Sequence, residues 1–438
     1  MAIGIGSSAG AVDAPARLMA GLASVEITPP VGQPMGGYLD RLRDRGGKAE
    51  GIHDPLFARV AVLRDADTSV AIVTLDLLFF SSERVIAEAK RQWDVDHVIL
   101  SSTHTHAGPI PTTGGLVEWS NLNVNPTETL DFEAFSDDPW YAGVEEKVVA
   151  AIGEAANNLF PARVGAGQGT LESAYLAHNR RHVGEDGRVR MMWDNPNRLP
   201  TEPLDHTVHV LRIDDEAGDP RAVMVGFASH PVTLGPRNRM VSADFPGAMV
   251  AHMKEHLGPD VMPMFLQGAS GDIDPYEMGL SGDFGFLVVR RAGEGLAKKA
   301  MRIAERIDTS ASGAGSVRVA ARVLAIPHRR DEGKVSDVAI STVVVNDDIA
   351  LVTIPGEPFV QHQINLSERS PLECTFLMGL AFIGEGIPFT IYLPTVHAAE
   401  EGGYGADSAT FLAADAGERM VDQALAMIEA LASERAAE

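Results

Sequence analysis

Residues Ser69–Pro109, SVAIVTLDLLFFSSERVIAEAKRQWDVDHVILSSTHTHAGP, decide the fold class. Ser69–Phe80 is a nearly continuous apolar run, the pattern of a strand buried on both faces. The period then changes, with Val85, Ile86, Ala89 and Trp93 recurring at helical spacing through Ser81–Trp93. His97–Leu100 is again short and apolar, a second buried strand. Strand, helix, strand in that order implies a crossover and a largely parallel sheet, hence an α/β fold with helices against a β-sheet core. Ligands in such sheets collect beyond the carboxyl ends of the strands, which is where the polar run Ser101–Pro109 falls.

Working outward, Phe57–Arg64 predicts a neighbouring strand, and the Pro/Gly-rich stretch from Thr28 to Gly37 predicts a loop. Residues 1–19 are rich in Ala, Gly and Ser and predict a flexible arm, with order beginning near Leu22. The aperiodic polar stretch Gly114–Asp138 predicts a lid or binding loop. Helices are expected over Gly143–Leu159, Ala243–Leu257, Gly285–Ile307 and Ser408–Ala432. Strands are expected over His206–Asp214, Ala222–Ala228, Val317–Ile326 and Val338–Pro355, the last two in a mainly antiparallel second half. With no internal repeat or linker, the reading is one large domain over residues 20–438, a mixed β-sheet core flanked by helices.

Composition excludes several function classes. The 438 residues carry 36 Lys plus Arg against 60 Asp plus Glu, a formal charge of −24. That balance argues against sequence-independent binding to nucleic acid or to an anionic membrane, both of which need clustered cations. The single cysteine, Cys374, excludes a disulfide within the chain and a thiolate zinc ribbon. No apolar run is long enough to span a bilayer, so no stable membrane insertion is expected. The first twenty residues have neither a basic start nor an apolar stretch, and the expectation is a cytoplasmic protein. Oligomeric state is not readable.

Three segments share one design, an apolar strand followed by a polar turn bearing a metal-competent side chain. They are Val98–Pro109 with His104 and His106, Val225–Pro231 with His230, and Leu351–Glu357 with Glu357. Two imidazoles and a carboxylate are the ligand set of a catalytic zinc that keeps a position open for water. If the first segment stays extended, His106 shares a face with His104 and lies beside the metal without binding it. Gly165-Ala166-Gly167-Gln168-Gly169 precedes a strand-like run rather than a helix and is not read as a dinucleotide loop. Gly268–Asp272 lacks the closing glycine of a nucleophile elbow. His362 and His397 are read as surface or supporting residues, and Trp119, Trp140 and Tyr404 as candidates to line a pocket.

At these residues the chain resembles the catalytic domain of the neutral/alkaline non-lysosomal ceramidases. The resemblance rests on Thr103–Pro109, Ala228-Ser229-His230, Pro355-Gly356-Glu357 and Tyr392-Leu393-Pro394-Thr395, in the family's order. Asn179-Arg180, Val241–Asp244 with Gly247, and Gly271–Pro275 support it, as does Tyr404, twelve residues after Tyr392. The resemblance implies zinc (Zn2+) held by His104, His230, Glu357 and Tyr392, with His106 and Arg180 near the scissile amide. It also exposes a departure: where the family has a serine in its Gly-Asp-Val-Ser-Pro segment, this chain has Asp274. A carboxylate there is expected to assist proton transfer as a general base.

The expected function is therefore zinc-dependent hydrolysis of an amide (N-acyl) bond in a small, lipid-like substrate. His106, Arg180 and Asp274 are the expected catalytic residues and Tyr404 the expected substrate contact. Alternatives from the same residues are an esterase or lactonase, or a metallophosphoesterase using the surplus Asp76, Asp244 and Asp272. A catalytically inactive metal-containing binding protein is a further alternative.

Overall fold

The computed structural model describes residues 18–38, 47–109, 139–171, 176–310 and 315–434. Most of the expected arm, and the expected lid at Gly114–Asp138 with Trp119, lie outside the described residues. The last arm residue, Met19, instead opens strand β1 (Met19–Glu26), so order starts earlier than Leu22.

Among the described residues, nine strands form the main sheet. In chain order they are β1, β2 (Phe57–Arg64), β3 (Ser69–Leu75), β4 (His97–Ser102), β5 (Phe160–Thr170), β6 (Thr207–Asp215), β7 (Pro220–Phe227), β8 (Met262–Gln267) and Ala381–Phe382. Their spatial order is β8-β7-β6-β5-β1-β2-β3-β4, closed by Ala381–Phe382. A second sheet orders β9 (Val317–Pro327), β10 (Val335–Val345), β11 (Ile349–Thr353) and β12 (Cys374–Met378). The expectation of a largely parallel main sheet is corrected. Only β3–β4 and β7–β8 pair in parallel there, and the other junctions are antiparallel, so the sheet is mixed. The crossover rule holds for the two strand–helix–strand stretches, from β3 to β4 and from β7 to β8, and antiparallel pairing sets the rest.

Burial on both faces explains the apolar runs. Along β3, Ala71, Val73 and Leu75 pack outward against helices α1 (Glu83–Trp93) and α2 (Pro139–Asn157). The alternate residues Val70 and Ile72 face inward, onto Val343, Leu351 and Phe376 of the second sheet. Helices α3 (Asp244–Leu257) and α4 (Gly282–Ala304) cover β6–β8, while α5 (Val360–Arg369) and α7 (Ala416–Glu434) cover the far face of the second sheet. A short α6 (Val396–Glu401) lies between the last two. The result is four layers, helix–sheet–sheet–helix, in one continuous body.

Several boundaries differ from the expected ones. Val338–Pro355 is two strands, because Asn346 and Asp347 adopt positive φ (54° and 70°) and turn the chain back. The last helix starts at Ala416 rather than Ser408. The glycines of Gly165–Gly169 lie within β5, where a Cβ on Gly165 would sit 2.7 Å from Ile307. Their absent side chains let the segment after α4 press against the strand.

A candidate metal centre with an aromatic-walled arginine

Each parallel strand pair in the two sheets encloses a helix, and these three strand–helix–strand units build the site. β3–α1–β4 contributes Leu78 and His104; β7–α3–β8 contributes His230 and Ser270; β11–α5–β12 contributes Glu357. Backbone bonds stitch the carboxyl ends together: Thr103 N to Leu75 O (2.8 Å), Gly268 N to Phe227 O (3.0 Å), Gly379 N to Gln267 O (2.8 Å) and Leu380 N to Gly356 O (2.9 Å). This is the location expected from the strand-end rule.

Both ligand-type histidines are oriented from behind. His104 Nδ1 donates to the Leu78 carbonyl at 2.7 Å, and His230 Nδ1 donates to the Ser270 carbonyl. A carbonyl only accepts, so each Nδ1 carries the proton and each Nε2 keeps its lone pair. Those two Nε2 atoms converge on Glu357 Oε2, at 3.3 Å from His104 and 2.9 Å from His230. Burial pushes the Glu357 carboxyl up, and only positive charge beside it, on the two imidazoles or on an ion among them, holds it well below its ordinary value. Lone-pair nitrogens gathered around a carboxylate oxygen repel one another unless a cation or shared protons stand among them, and a divalent ion meets that demand.

His106 belongs to the same cluster. Its Nε2 lies 3.2 Å from His104 Nε2, and one donor atom from each of His104, His106 and His230 falls within 4.8 Å of the others. The reason differs from the one expected. The segment is not extended: His104 adopts φ 69°, a conformation rare for a residue with a Cβ, and the two rings meet edge to face at 4.7 Å.

Glu357 and Tyr392 are direct partners in a short parallel ladder, which sets their side chains side by side. Burial, then the Glu357 and Tyr404 charges, raise the Tyr392 phenol well above its ordinary value, while the neighbouring Arg180 partly offsets them. Arg180 is buried. Its Nη1 donates to Asp274 Oδ1 at 3.1 Å and its Nη2 to the Gly271 carbonyl at 2.6 Å. Its guanidinium carbon sits 5.2 Å from the ring centre of Tyr392 and 5.3 Å from those of Trp193 and Tyr404. Burial disfavours this charge, but Asp274 leads the neighbours that more than restore it.

Asp274 is fully buried and stands on the Nδ1 side of His230, 3.8 Å from that atom. A carboxylate there, held by a guanidinium, is placed to orient Arg180 rather than to take a proton from the Nε2 side. The surplus aspartates do not join the cluster. Asp76 accepts from Arg59 (2.8 Å), Asp272 from Asn179 (2.7 Å) and Val360 N (2.8 Å), and Asp244 from Leu234 N (3.0 Å). His362 is buried against the Pro394 carbonyl, His397 is exposed beside Glu401, and Trp140 packs into the core, so none of the three meets the site.

Comparison with known proteins follows the geometry. The sequence profile described as neutral/alkaline non-lysosomal ceramidase, N-terminal, matches residues 18–282, more than half of the chain. The chain belongs to the neutral/alkaline non-lysosomal ceramidase family. Its relatives include the neutral ceramidases of Pseudomonas aeruginosa (25% identical over 240 residues) and Mycobacterium tuberculosis (26% over 249 residues), and neutral ceramidase A of Dictyostelium discoideum (26% over 246 residues). Each alignment covers 52% of this chain and only 32–36% of the relative's length. The crystal structure of the Pseudomonas aeruginosa neutral ceramidase superposes with a TM-score of 0.69 at 19% identity, covering 94% of this chain and 75% of that one. A structure described as ceramidase complexed with C2 superposes at 0.74 and 18% identity, covering 96% of this chain and 76% of that one. The fold is thus that of the ceramidase family.

Sequence reasoning missed Trp193, which stacks edge-on to Tyr404 at 5.3 Å and is 41% exposed. The signal was present: a tryptophan thirteen residues after Arg180 in a polar, turn-rich stretch, with no apolar periodicity to bury it.

Proposed function

We propose that the chain is a zinc-dependent hydrolase of an N-acyl amide. The carrying observation is the pair of buried imidazoles, each fixed through Nδ1 to a backbone carbonyl, that direct Nε2 at one oxygen of Glu357. His104, His230 and Glu357 would hold the ion, with Tyr392 as fourth ligand. Bound there, a zinc ion would lower the pKa of a water toward ~7 and polarise the scissile carbonyl.

The chain's own residues supply the rest. His106, half-buried and 3.2 Å from His104 between the two Nε2 atoms, would move a proton between the attacking water and the departing amine. Arg180 presents a fixed positive charge that can stabilise an oxygen gaining negative charge. Asp274 holds that guanidinium in place. Tyr404 and Trp193 form an aromatic wall suited to an apolar or lipid-like group.

The same site would accept an ester. The phosphoesterase alternative loses support, because Asp76, Asp244 and Asp272 are each engaged by other protein groups. A hydrolysis screen over N-acyl amides, esters and phosphoesters, with and without chelator, tests the proposal. Chelator-sensitive amide cleavage is expected. Turnover of phosphoesters alone, or of nothing, contradicts it and in the second case favours a binding protein.

A further inference from the structure

Helix α3 ends in His252-Met253-Lys254-Glu255-His256-Leu257, followed by Gly258. His252 and His256 are four apart, so they share one face of the helix, the spacing by which a single helix presents two imidazoles to one ion. Their rings lie 4.1 Å apart, tilted by 32°, and one donor atom from each of His252, Glu255 and His256 falls within 4.8 Å of the others. Among the described residues this is the one such group besides the central histidines.

Three further features suit a cation. His256 Nδ1 donates to the His252 carbonyl at 2.8 Å, which fixes its proton there and frees Nε2 as a donor to metal. His252 Nε2 has no hydrogen-bond partner among the described residues. The group also occupies the last turn of α3, where the macrodipole presents its negative end. Glu294 and Lys298 of α4, paired at 3.5 Å, both act on His252, the carboxylate favouring a cation there and the lysine opposing it. α4 cannot drift away, since a Cβ on Gly293 would sit 2.5 Å from Met249 N: the two helices meet backbone to backbone.

We propose that His252, Glu255 and His256 form a second metal site, for a divalent ion of the zinc class, separate from the strand-end cluster. Two imidazoles and a carboxylate select zinc, nickel or copper over calcium and magnesium. The site lies on the outer helical layer and pins the carboxyl end of α3. It holds no part in the hydrolytic chemistry.

Equilibrium dialysis of the full chain against Zn2+, with elemental analysis, tests it. Wild type is expected to bind two equivalents. His252→Ala/His256→Ala should bind one, keep full hydrolytic activity and lose one of the two steps in the rise of thermal midpoint with Zn2+ concentration. His256→Gln, a substitution at an exposed position, should weaken the second equivalent at least tenfold with an unchanged circular dichroism spectrum. In the complementary His104→Ala/His230→Ala variant the surface equivalent should persist, so loss of the central site leaves this proposal standing. Unchanged Zn2+ stoichiometry and affinity in both α3 variants would overturn it.

Discussion

Replacing Asp274 by Asn leaves the shape of the side chain and removes its charge from a fully buried guanidinium. Arg180 Nη1 lies 3.1 Å from Asp274 Oδ1, while Nη2 keeps the Gly271 carbonyl at 2.6 Å. Removing one partner of a buried ion pair costs about 3–5 kcal/mol, and the amide oxygen can still accept, so the lower end applies. Urea unfolding should therefore show a loss of about 3 kcal/mol with zinc content retained. For activity the two roles of Asp274 separate cleanly. As the group that orients Arg180, its loss lowers kcat/KM, by roughly 10²-fold for one displaced oxyanion donor, and leaves the pH–rate profile in shape. As a general base, its loss would flatten the acidic limb of that profile. A profile measured on an N-acyl amide from acid to neutral pH distinguishes them. A missing acidic limb in Asp274→Asn would refute the positioning role argued from the structure.

Further outcomes follow from neighbouring contacts. Gly271→Ala places a Cβ 2.4 Å from the Glu357 carbonyl oxygen, so strain should cost about 1–3 kcal/mol and lower metal affinity, read by dialysis and urea melts. Trp193→Ala removes one wall of the arginine cage and should raise KM for an acyl amide roughly tenfold with little change in kcat, the signature of lost binding rather than lost chemistry. Asp244 is pushed up to about 6 from 3.8, chiefly by burial. The folded state then holds a proton that the unfolded state releases, so this group's contribution to stability falls as pH rises from about 4 to 6. That difference is worth about 3 kcal/mol, and Asp244→Asn, tolerated at φ 53°, should abolish that part of the pH dependence of unfolding. Parallel curves for wild type and variant would show that burial does not set this carboxyl.

Legibility in the sequence tracked the locality of the cause. The unit Ser69–Ser102 was readable because burial on two faces and then on one changes the period within a few residues. The pairing of β1 between β2 and β5 was not, since it joins residues as far apart as Met19 and Pro161 and leaves no mark in either strand. The turn at Asn346-Asp347 interrupts a long apolar run that masks it, although consecutive Asn and Asp, residues that tolerate positive φ, mark it in the sequence. His104, His230 and Glu357 were legible as the polar ends of apolar strands. Tyr392, Arg180 and Asp274 were reached only through family resemblance, because a tyrosine, an arginine and an aspartate in loops carry no pattern. The Arg180–Asp274 pair, which changes the reading of Asp274, joins positions 94 apart and could be seen only once the chain was folded.

The central claim is that His104, His230 and Glu357 hold the ion on which hydrolysis depends. It is tested most directly by zinc content and amide turnover in His104→Ala and His230→Ala, each built on the His252→Ala/His256→Ala background so that the surface site does not contribute. The account predicts one zinc per chain and full turnover in the background protein, and neither in the two variants. One zinc per chain retained in either variant, with turnover intact, would contradict it.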